Sequence, residues 1–167
     1  MDYNRVVKDL AGLSPEEFLE GLSKAGFQVD KVGEAGAVPD PRPKQKGDFG
    51  MLLEGRWWRL RYIGEASNDC VSGLDCQVLS ERILEPILGI KDLRTDERIG
   101  FVGGSRGMKG LEAACGGQGS GEDAGSYKLA FAVYPVSVEE LLAVADAGRL
   151  MPPKSTWFEP KLRSGLI

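Results

Sequence analysis

The sequence predicts an α+β fold, with residues 1–167 forming one domain built on a mixed or antiparallel sheet that carries one β-hairpin and three to four helices. Three observations predict it. A turn dipeptide, Glu54-Gly55, joins two apolar and aromatic runs, the pattern of a hairpin. Two segments open on a serine followed three residues later by glutamate, the reciprocal cap that starts a helix. Strands and helices then follow one another in irregular order without internal repeats, which suits an α+β layering better than a repeated β-α-β unit.

Each element has its own justification. Asn4–Leu10 (NRVVKDL) reads as a short strand. In the next run, SPEEFLEGLSKAG, Ser14 caps, Pro15 occupies the first turn and Glu17 closes the capping box. Phe18, Leu19, Leu22 and Ala25 share one face, and Gly26 ends the helix. FQVDKV follows as a strand. Residues 33–47 are expected to be loop, because the prolines at 39, 41 and 43 forbid regular pairing. The hairpin comes next, with Leu52, Leu53, Trp57, Trp58, Leu60, Tyr62 and Ile63 in its strands.

From Leu74, LDCQVLSERILEPILG predicts a helix capped by Asp75 or Ser72, with Cys76, Leu79, Ile83 and Ile87 in one stripe. Pro86 is expected to kink or end it and to free the carbonyl of Arg82. A strand over Ile99–Val102 leads into Gly103-Gly104-Ser105-Arg106-Gly107 and a weak helix with Met108, Leu111 and Cys115 on one side. The glycine-rich stretch 116–126 is expected to be a surface loop. YKLAFAVYPV is apolar enough for a central strand, and Ser137 with Glu140 caps a last helix that Gly148 ends.

Composition excludes several functions. The chain has no histidine, so it carries no Ser-His-Asp triad, Cys-His dyad or imidazole base of its own. Three cysteines without a second ligand pair read as reduced thiols and not as a zinc centre, and no metal site is expected. A net charge of −4 argues against nucleic acid as a partner. No apolar run approaches the ~20 residues a membrane helix needs, and a cytoplasmic location is expected.

Two segments are candidates for holding an anion. One is the glycine turn, Gly103, Gly104, Ser105 and Arg106, where backbone N–H groups at a helix start attract negative charge. The other is the proline-aromatic tail, whose Lys154, Ser155, Thr156, Lys161 and Arg163 offer charge-assisted donors. Each has a plainer reading, as a sharp turn and as a tail tied to the sheet by Trp157, Phe158 and Leu162. Gly148 and Lys154-Ser155 have the outer spacing of a P-loop, but Pro153 stands where the motif needs a glycine N–H, and a helix precedes it. The charged set Asp92, Arg94, Asp96, Glu97 and Arg98 could hold magnesium or act as acid and base, or could be a solvated turn.

Several stretches together, YNRVVKDL, LSERILEPILGI, RIGFVGGSRG, AFAVYPVSVEELLAVADAG and above all MPPKSTWFEPKLRSGL, resemble the C-terminal half of the prokaryotic domain-of-unknown-function family numbered 1015. In that family an N-terminal half carries an Asp-Gly-His-His-Arg segment similar to the nucleotide-handling motif of ParB- and sulfiredoxin-like proteins, some of which phosphorylate free serine. This chain has no histidine and so lacks that motif. The resemblance implies a truncated or half-length piece. Its expected function is the anion- and substrate-binding half of a nucleotide-dependent small-molecule enzyme, of the serine-kinase type. The alternative is a non-catalytic structural or regulatory binding module. A small anionic ligand is the expected partner, the remaining half of the family's length is another, and ATP or ADP is expected only with that half.

Overall fold

The computed structural model describes residues 3–116 and 124–156. Six strands, β1 (Tyr3–Val7), β2 (Phe27–Glu34), β3 (Asp48–Leu53), β4 (Arg56–Tyr62), β5 (Ile99–Gly103) and β6 (Leu129–Val133), form one sheet in the order β2-β4-β3-β6-β1-β5. Every neighbouring pair is antiparallel. The helices are α1 (Pro15–Lys24), α2 (Asp75–Leu79), α3 (Gly107–Gly116) and α4 (Val138–Asp146). The fold is α+β, with the sheet antiparallel throughout.

Helices cover both faces. Alternation along each strand sends odd and even positions to opposite sides, and two cores result. Val7, Phe49, Met51, Leu60, Leu129 and Phe131 pack against Phe18 and Leu22 of α1, Leu79 of α2 and Val144 of α4. Val6, Leu52, Trp57, Val102, Ala130 and Ala132 pack against Met108, Leu111 and Ala114 of α3.

Both predicted capping boxes form. Ser14 Oγ accepts from the Glu17 N–H and Ser137 Oγ from the Glu140 N–H, each glutamate returning the bond to its serine N–H. Other expectations need correction. The first strand stops at Val7, because the following residues turn: Asp9 Oδ1 accepts the Ala11 N–H, and Ala11 and Gly12 have φ of 55° and 80°. β2 runs on to Glu34 through an irregularity between Lys31 and Gly33, so the first two residues of the expected 33–47 loop are strand. Neither Asp75 nor Ser72 caps α2; its N-cap is Leu74, without a side-chain bond. The Asp75 carboxylate turns instead to the Gly47 N–H, at 2.9 Å.

The long helix expected from Leu74 to Gly89 is interrupted. After α2, residues Ser80–Leu84 widen into a π-helical turn, and the Glu85 N–H reaches back to Ser80 O at 3.0 Å. Pro86 has no N–H to give Arg82 O, so the wider turn before it lets the neighbouring donors find other carbonyls. Gly89, at φ 69°, then ends the segment.

Candidate functional site

One end of the sheet gathers the C-terminal ends of β5 and β6, the N-terminal ends of β1 and β3, and the segment around Lys154. Gly103 is the last residue of β5 and pairs with Tyr3. Gly104–Arg106 form a single 3-10 turn, and Gly107, at φ 58°, opens α3. That positive φ favours glycine, and it swings the chain from the sheet edge onto the face that α3 covers.

Next to this turn lies a cleft of about 210 Å³ lined by Arg42, Pro43, Gly104, Val133, Tyr134 and Pro135. A Cβ placed on Gly107 would lie 3.7 Å from Arg42 Nη2, so the guanidinium stands at the start of α3. The first turn of α3 holds no acidic residue to answer it. The partner of Arg42 among the described residues is Asp40, 3.7 Å from Nε and largely exposed. Arg42 is positioned by the proline-rich segment before β3: the Pro41 carbonyl packs over Gly50, where a Cβ would approach it to 2.8 Å.

The tail candidates divide. Lys154, at φ 58°, puts its ammonium 5.6 Å from the Phe101 ring centroid and 5.8 Å from that of Tyr3. Tyr3 is the strand partner of Gly103, so Lys154 and the glycine turn meet at one corner of the sheet. Ser155 is buried and Thr156 half-buried. Ser105 and Arg106 are exposed, and the Arg106 side chain lies back along Gly110, where a Cβ would come within 2.7 Å of Arg106 Cβ. Arg106 is thus on the α3 side and not beside Lys154. Lys161 and Arg163 lie outside the described residues.

Sequence reasoning missed Arg5. It sits in the middle of β1, between β6 and β5, and is 1% exposed. Its Nη1 donates to Tyr3 O and its Nη2 to Lys154 O at 3.0 Å. The guanidinium lies 5.7 Å from the Phe101 centroid, and its Nε has no partner. Burial lowers its pKa from the ordinary value. In the sequence an Asn-Arg pair heading a strand looks like a solvated edge. Only the sheet order reveals that the strand is internal. The adjacent Asn4 is also buried, and its Oδ1 accepts the Val133 N–H at 3.0 Å.

Other charged groups are already engaged. In the 92–98 set, Arg94 pairs with Asp92 at 3.2 Å, while Arg98 reaches Asp96 at 3.0 Å and donates to Leu88 O at 2.9 Å. Hydrogen bonds from Arg98 hold the Asp96 carboxyl below its usual range. These contacts make the segment a pinned turn. Among the described residues no group of three His, Cys, Asp or Glu could hold a metal ion. Trp57 is core, donating from Nε1 to Glu112 Oε1 at 2.7 Å.

The opposite end of the sheet has a larger opening, about 550 Å³, bordered by Leu10, Leu13, Leu53 and Cys115. Its charged lining residues, Asp9, Glu54 and Lys128, are of mixed sign, and Asp9 is held by the Ala11 N–H. It offers no convergence of donors comparable with the first end.

The fold and its cation-rich corner define an α+β protein with an antiparallel six-stranded sheet. The sequence model of the family described as "Protein of unknown function (DUF1015)" matches residues 1–77, a match consistent with a DUF1015-related protein. No curated protein matches the chain. A solved structure of a free serine kinase mutant in complex with AMP is similar at 18% identity and a TM-score of 0.47, over 92% of this chain and 51% of that one. The chain therefore spans about half the length of that structure. No helix among the described residues is long and apolar enough to cross a membrane.

Proposed function

We propose that this chain is the anion- and substrate-binding half of a nucleotide-dependent small-molecule enzyme, of the amino-acid (serine-type) kinase class. The observation that supports it is the cleft shared by Gly104, Arg42 and Tyr134 at the start of α3. Backbone N–H groups at a helix start and a guanidinium whose ion-pair partner among the described residues is an exposed carboxylate together suit a phosphoryl or carboxylate group. The volume fits such a group with a short carbon skeleton, so a whole nucleotide would need the remaining half of a longer protein as its other wall. Phosphoryl transfer draws mainly on positioning and charge neutralisation, and these residues supply both.

Titration calorimetry of the chain with inorganic phosphate and with ADP, at constant ionic strength, tests the reading. Binding that Arg42→Ala weakens by about tenfold is expected, the loss of one charge-assisted contact. Absence of binding by either anion, or binding that Arg42→Ala leaves unchanged, overturns it.

A second reading, a non-catalytic structural or regulatory module, is favoured by how the tail is fastened. Arg5 donates to Lys154 O, and Ser155 is 7% exposed, so this part of the tail packs on the sheet. That reading expects thermal stability indifferent to phosphate and to ADP.

A further inference from the structure

Arg5 is a buried cation whose charge no described residue balances with an ion pair. Among the described residues it takes part in no ion pair, and the groups it donates to, Tyr3 O and Lys154 O, are neutral carbonyls. Its Nε, buried, donates to nothing. Lys154 adds a second positive charge against the same ring: the guanidinium and the ammonium lie 5.7 and 5.6 Å from the Phe101 centroid. A ring quadrupole offsets part of this, but it is worth much less than a counter-ion to a desolvated charge. A fold that keeps an uncompensated buried charge gives up stability, and a charged ligand recovers it.

The residue that meets Arg5 holds a disfavoured backbone conformation. Lys154 is one of three non-glycine residues with positive φ among those described, a conformation disfavoured for a side chain with a Cβ. Its contact with Arg5 is through a main-chain carbonyl, which an oxyanion outcompetes because both partners are then charged.

We propose that Arg5 and Lys154 form an oxyanion subsite over Phe101, in which a carboxylate or phosphoryl oxygen displaces the Lys154 carbonyl from Arg5 and is clasped by the guanidinium and the ammonium. The subsite lies on the face of α1, α2 and α4, at the corner of the sheet where Tyr3 pairs with Gly103. It extends the proposed function, on which it rests for the identity of the ligand, by giving that ligand a second anchoring group.

The test is a ¹H–¹⁵N correlation of the arginine Nε–Hε groups and backbone amides of the whole chain, titrated with inorganic phosphate in one arm and acetate in the other. Chloride at matched ionic strength is the control. The expected result is a saturable displacement of the Arg5 Nε–Hε resonance by one or both oxyanions and not by chloride. Lys154→Gly, which keeps the positive φ and removes the ammonium, should weaken it by about tenfold. Movement with phosphate alone assigns the subsite to a phosphoryl group, and with acetate alone to a carboxylate. An Arg5 resonance that stays fixed while Arg42 and Gly104 respond overturns the subsite and leaves the cleft reading standing. An Arg5 response without one at Gly104 does the reverse. A response at none of them overturns both.

Discussion

Replacing Asp75 by asparagine should stabilise the protein at neutral pH and do nothing at pH 4. Asp75 opens α2, is 7% exposed, and gives Oδ2 to the Gly47 N–H. Burial is the main cause that lifts its carboxyl from 3.8 to about 6; the Gly47 bond and Lys46 oppose the rise, while Glu140 and Asp48 add to it. A carboxyl with a raised folded-state pKa binds its proton more tightly in the folded chain than in the unfolded one. Stability therefore falls as pH climbs from about 4 to about 6 and stays lower above that. At 1.36 kcal/mol per pKa unit, the cost at pH 7 is on the order of 3 kcal/mol. Asparagine keeps an acceptor for the Gly47 N–H and carries no charge, so Asp75→Asn should recover much of that amount. Urea unfolding of both proteins from pH 4 to pH 8 measures it. A stability difference that fails to grow between pH 4 and pH 7, or that favours aspartate at pH 7, would refute the reasoning.

Further outcomes follow from other contacts. Gly50→Ala should cost about 1–3 kcal/mol, because the new methyl would meet Pro41 O at 2.8 Å and Ala132 Cβ at 3.2 Å. The displaced proline segment should also carry Arg42 away from Gly107 and weaken phosphate binding, read together by thermal melting and calorimetry. Cys115, whose thiol burial pushes up to about 12, should alkylate at pH 8 at least about tenfold more slowly in the folded chain than in urea. Equal rates by peptide mass spectrometry would contradict the assigned burial.

The parts of the fold written in local chemistry were legible. The caps of α1 and α4 depend on residues three apart, and the hairpin on a dipeptide, so short-range patterns suffice for them. What escaped depends on distant partners. Asp75 looks like a cap, but Gly47 competes for its carboxylate from another part of the chain. The π-helical turn before Pro86 depends on which carbonyls the neighbouring donors find, which residue type alone does not fix. At the candidate site the glycine turn and Lys154 were visible as residue types, and the structure puts them at one corner. Arg42 was hidden in a segment read as loop, and Arg5 in a strand whose two neighbours, β5 and β6, begin more than ninety positions later.

That placement of β1 governs how the molecule can be divided and made. Between β1 and β3 runs β6, the last strand among the described residues, so residues 1–77 hold four of the described strands with a gap in their midst. A ribosome that has released only that portion has produced the three-stranded β2-β4-β3 sheet and an orphan ribbon, with its arginine still in water. Assembly must wait for the wedge strand to emerge, which makes completion slow and non-local, and makes cutting this chain at residue 77 a recipe for aggregation and not for a smaller working unit.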